Sequence, residues 1–199
     1  MIAPVITLLL GLALTTPGAE EHLVAGARHF REGRFDTALV EFRVAERLGA
    51  KEASGYAGAS LVKLQRPEEA LEAFGAAGAG GDALLDYYRA LACYDARLFL
   101  CADRILAAVG ERSGPRIAGQ ARKMRADIAA ALAQEPAQEA VDWYLGRCSA
   151  GADAQRPALA AAYCREAAGL ADRRKDRYRR GDALAALATL EGAPRGTRR

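Results

Sequence analysis

Small and apolar residues return on a 32-residue beat along the first half of this chain. The stretches "GARHFREGRFDTALVEFRVA" (26–45), "GASLVKLQRPEEALEAFGAA" (58–77) and "ALACYDARLFLCADRILAAV" (90–109) begin 32 residues apart. Set 19–50, 51–82 and 83–114 beneath one another and the eighth column reads Gly26, Gly58, Ala90, while the twentieth reads Ala38, Ala70, Ala102. The twenty-fourth holds Phe42, Phe74, Leu106, and the twenty-seventh Ala45, Ala77, Val109. Small side chains let two antiparallel helices approach, and a large one fills the space beside them. Each segment therefore predicts a helix–turn–helix hairpin whose apolar face needs a neighbour, as in stacked repeats.

Turn chemistry agrees. Gly33 breaks the first unit between its helices, Pro67 suits the opening turn of a second helix, and the glycine-rich 75–83 separates units two and three. Beyond Gly114 the beat weakens. Residues 115–135 read as one long helix starting at Pro115, and a second helix follows Pro136. A third is expected from Pro157 to a stop at Gly181, with "GDALAALATLEG" as a closing half-unit that carries Ala186 and Leu190 in its small and large columns. The organisation expected is three repeats over 20–114, divergent hairpins with a capping helix over 115–192, and a basic disordered tail over 193–199.

Composition sharpens this. Of 199 residues 51% are hydrophobic and only 7% aromatic, enough to bury one core, and the scarcity of β-branched residues leaves no strand pattern to compete with helix. Residues 1–19 carry no charged side chain, and their short apolar run fits a signal peptide cleaved after Gly18 or Ala19 better than a membrane span. The expected location is then the periplasm or cell envelope. In such a compartment the even set Cys93, Cys101, Cys148, Cys164 reads as two disulfides. Cys93–Cys101 and Cys148–Cys164 close the shortest loops, each across one hairpin. Cys93 and Cys101 lie nearly level about the turn at 96–98, whereas Cys164 is expected past the level of Cys148.

At its conserved-type columns the chain resembles the tetratricopeptide repeat family, with "REGRFDTALVEFRVA" the strongest match. The family's usual period is 34 and a proline often closes each unit; here the period is 32 and Ala50 stands in that place. The resemblance implies an all-α fold, a right-handed α-solenoid of stacked hairpins. It also implies a groove lined by the first helices, which binds a protein or peptide partner. The inward columns carry Phe30 and Arg31 in unit one, Gly55, Ala59, Val62 and Lys63 in unit two, and Tyr87, Leu91, Tyr94 and Asp95 in unit three. The lysine and asparagine clamp by which some members hold a terminal carboxylate has no counterpart here.

No catalytic constellation emerges. His22 and His29 are the only histidines and lie far from every cysteine, so neither a zinc site nor a cofactor is expected, and no enzyme. The loop at 75–83 lacks the strand and the Gly-Lys-Ser/Thr of a phosphate-binding loop. Trp143 and Tyr144 read first as core and second as a shelf for a glycan or small molecule. Arginine outnumbers lysine by 24 to 4, and 172–199 hold nine basic against four acidic groups. The run "DRRKDRYRR" is read as a solvated helix end, with weak contact to an anionic membrane surface as the alternative and no nucleic-acid role.

Overall fold

A computed structural model describes residues 18–78 and 82–192. The leader before Gly18 and the tail 193–199 lie outside the described residues. Among those described there are ten helices and no strand: α1 (Ala19–Arg31), α2 (Phe35–Arg47), α3 (Ala53–Lys63), α4 (Pro67–Ala77), α5 (Ala83–Asp95), α6 (Phe99–Arg112), α7 (Pro115–Ala131), α8 (Gln138–Asp153), α9 (Pro157–Arg173) and α10 (Arg177–Gly192). Neighbours pack in pairs, as a helical repeat requires. None of these helices is long and apolar enough to cross a membrane.

Six of the inter-helix turns are built alike. Each places one residue at positive φ: Gly33 (77°), Gly49 (99°), Gln65 (57°), Arg97 (64°), Gln155 (55°) and Lys175 (58°). In each, the next residue's N–H reaches back to the carbonyl five residues earlier, as Arg66 does to Leu61 at 2.9 Å and Arg156 to Gly151 at 2.8 Å. This is the Schellman closure of a helix, and only the first two turns, at Gly33 and Gly49, use glycine for it. The last turn overturns one expectation. The helix from Pro157 ends at Arg173, not Gly181, because Lys175 takes the left-handed conformation and Asp176 accepts the Arg179 N–H at 3.1 Å to open α10. Gly181 lies inside α10.

The repeat columns meet as small-against-large pairs. A Cβ on Gly26 would fall 2.7 Å from the Phe42 ring, and one on Gly58 2.9 Å from Phe74, so each ring lies on bare backbone. Ala38, Ala70 and Ala102 are wholly buried. The same arrangement reappears 90 residues on, where Gln155-Arg156-Pro157 repeats Gln65-Arg66-Pro67. There the Gly58 and Phe74 positions are taken by Cys148 and Cys164, at disulfide distance with Cα atoms 5.0 Å apart. Cys93 and Cys101 form the other such pair, at 6.0 Å.

α7 lies against α6 and makes no contact with α8. The chain instead folds back, so that α9 packs across α4 and α6 while α8 and α10 flank it. No Cα atom of α2, α4 or α6 lies within 8 Å of another of these second helices; first helices wedge between them and leave grooves on that side. α9 fills the groove between α4 and α6.

Candidate functional site

On the first-helix side the chain gathers aromatic rings under charged ends. Phe30, half-buried in the last turn of α1, stands edge-to-face with Phe35 at 5.3 Å and with Tyr88 of α5 at 5.8 Å. Lys63 closes α3 with its Nζ 5.6 Å from the centre of the Tyr88 ring, and Tyr87 meets the same ring at 6.4 Å. Tyr88 thus joins three units, yet column reasoning passed it over because it counted five inward columns and Tyr88 falls in the sixth. The Tyr-Tyr doublet was its available signal. Burial raises the phenol pKa of both Tyr87 and Tyr88.

The remaining predicted residues spread along the same face. Arg31 is exposed and donates to the Ala27 carbonyl at 3.3 Å; Leu91 is half-buried against the core; Tyr94 stands edge-to-face with Phe99 at 5.6 Å. Asp95 lies at the exposed end of α5, and the surrounding protein raises its carboxyl above the usual range by desolvation. Gly55, Ala59 and Val62 are buried rather than open to a groove, since α5 packs on that part of α3 and brings Leu85 to 3.0 Å of the Gly55 Cβ position. The face is therefore two patches: Phe30, Lys63, Tyr87 and Tyr88 as one, Tyr94 and Asp95 toward the next turn.

The Trp143-Tyr144 pair divides. Tyr144 is core, its hydroxyl donating to the Arg97 carbonyl and its pKa pushed up to about 12 mainly by burial. Trp143 is 48% exposed, edge-to-face with Tyr144 and Tyr163, with the Arg147 guanidinium over its ring at 5.8 Å. In the basic run, Arg179 pairs with Asp142 and Asp176, Arg174 with Glu135, and Arg180 with Asp172. Much of its charge is answered within the molecule.

The fold-back of α9 is held by carboxylates that sequence reasoning did not single out. Glu68 takes Arg147, Arg156 and the Tyr163 hydroxyl. Glu72 of α4 accepts the Leu159 N–H at 2.7 Å, in the first turn of α9. In return Glu166 of α9 accepts the Leu100 and Cys101 N–H groups at 2.7 and 3.1 Å, in the first turn of α6. In the sequence Glu68 and Glu69 are ordinary first-turn acids of α4, a placement that helices favour whether or not a second helix lies over them.

Among the described residues no group of three or more His, Cys, Asp or Glu side chains is placed to hold a metal ion. Comparison of the chain with protein-family models, with curated proteins and with solved structures gives no match.

Proposed function

We propose that this protein is an exported, non-enzymatic scaffold of tetratricopeptide type that holds a protein or peptide partner in the bacterial cell envelope through its first-helix face. One observation carries the reading: half-exposed rings from two units, Phe30, Tyr87 and Tyr88, converge beside the ammonium of Lys63, which has no carboxylate partner among the described residues. Rings of this kind supply much of the energy of protein interfaces when a partner covers them. The paired columns and the repeated turn support the family assignment. The two disulfide-distance cysteine pairs are compatible with an oxidising compartment and so with export.

The test is crosslinking and pull-down from intact cells with Tyr87→Ala and Tyr94→Ala, each variant also melted by circular dichroism. Partner yield is expected to fall at least several-fold while the melting midpoint moves little. A large loss of stability with unchanged capture would make both rings packing groups and remove the proposal.

A further inference from the structure

The second-helix side carries a surface that the first-helix reading leaves unused. Between α2 and α4 lies an open cleft of about 330 Å³ lined by the apolar Leu39, Val40, Val44 and Leu61 and by the charged Arg43, Arg47, Arg66 and Glu69. Val40 is 60% exposed. A shift of 32 residues carries this cleft onto the groove between α4 and α6: Val40 becomes Glu72, Arg43 becomes Gly75, Leu61 becomes Cys93 and Glu69 becomes Cys101. That second groove is filled by a helix. α9 sets Ala158 on Gly75, where an added Cβ would come within 2.4 Å, takes Glu72 at its first turn, and gives Glu166 to the N–H of Cys101.

No described residue covers the cleft between α2 and α4, which repeats the part of that seat that receives a carboxylate. Neither α4 nor α6 has a side-chain cap of its own. For α6 the cap is Glu166, from the helix lying across it. The corresponding amides of α4 belong to Glu68 and Glu69, and Arg66 stands at the same end, held only by a surface pair with Glu69 at 2.7 Å. Arg47, which also lines the cleft, has no carboxylate partner among the described residues. A helix start whose N-cap residue makes no side-chain cap, with guanidinium groups beside it, favours a carboxylate, here in competition with Glu68 and Glu69 of the same turn.

We propose that the cleft between α2 and α4 docks an amphipathic helix of another protein, one with a leucine-sized apolar stripe and carboxylates along its edge. Arg43 in the place of Gly75 keeps it from lying as close as α9 lies in the next groove, so its apolar side chains rest on Val40 over Leu61, with one carboxylate at Arg66 and the first turn of α4 and another at Arg47. The inference is independent of the first-helix reading, because the two surfaces share no residue.

The test uses the full chain and a fluorescein-labelled 17-residue alanine-based helix, the length of α9. Leu, Tyr and Glu are placed at the spacing of Leu159, Tyr163 and Glu166, with one further Glu for Arg47; the control peptide has Lys at every Glu. Anisotropy should show saturable binding of the acidic peptide, at least tenfold weaker for the Lys peptide and for Val40→Asp or Arg47→Glu, and unchanged for Tyr87→Ala. Both variants alter exposed side chains, and circular dichroism should give the parent's melting curve. Absence of saturable binding overturns the proposal, as does an affinity that ignores Val40→Asp and Arg47→Glu. Sedimentation showing that the chain itself dimerises through Val40 would make the occupant a second copy, and binding of phosphatidylglycerol vesicles through these residues would make it a membrane; either result also overturns it.

Discussion

Glu166 places a carboxyl in a nearly closed site, 1% exposed, and its pKa is pushed up to about 7 because burial outweighs the backbone N–H groups of Leu100, Cys101 and Phe99 and the charge of Arg104. The folded value therefore stands above the unfolded one, near 4.5. Below the unfolded value both states hold the proton and this group costs nothing. As pH rises toward about 7 the unfolded chain ionises first, so stability falls by about 3 kcal/mol in all and then levels off. Urea unfolding of the parent and of Glu166→Gln at pH 5 and pH 8 isolates the effect. The parent's stability relative to the variant should decline across that interval, and a constant difference would mean that Glu166 is already ionised when folded.

At the scale of elements, what holds α9 down is the absence of side chains as much as their presence. Gly75 and Gly169 leave room for Ala158 and Leu100, with added Cβ atoms falling 2.4 and 2.6 Å from them. Gly75→Leu is expected to lift the start of α9 from α4, at a cost of about 1–3 kcal/mol from overpacking. Amides of 157–166 should then exchange faster in hydrogen-exchange mass spectrometry, while those of α1–α3 keep the parent's protection. Gly146→Leu, at a glycine with nothing within 4 Å, serves as the control. Equal effects of the two substitutions would show that the α4–α9 contact contributes nothing.

For the whole molecule, both cysteine pairs bridge neighbouring helices, Cys93 to Cys101 across eight residues and Cys148 to Cys164 across sixteen. Neither ties the folded-back helices to the rest. Non-reducing peptide mapping of protein recovered from the periplasm should find these two links, and reducing each should cost up to about 3 kcal/mol in the loop-closure estimate. A peptide joining Cys93 to Cys148 or Cys164, or four free thiols, contradicts the pairing. On the export proposal the mature chain should begin at Ala19, which opens α1 and is fully buried, so cleavage after Gly18 keeps the first helix whole. Mass spectrometry that finds an intact Met1 would end that proposal.

The helical class, the hairpin pairing of the first half and both cysteine partnerships were legible in the residues alone. They rest on local periodicity: small residues one helix apart, prolines at first helical positions, and short loops that leave little choice of partner. Gly181 misled because a glycine suggests a helix end, whereas the stop was set by Lys175, a residue with no special preference for the conformation it holds. The fold-back of α9 was beyond any such reading. Glu72, Glu166, Gly75 and Gly169 lie far apart along the chain, and each is ordinary in its own helix. Only when α9 crosses α4 and α6 do two of them become caps in trans and two become points of close approach, because long-range packing is decided by which surfaces meet. Tyr88 shows the same limit: its column lies outside the five inward ones, and the meeting of Phe30, Lys63 and Tyr87 around its ring depends on how three hairpins are set against one another.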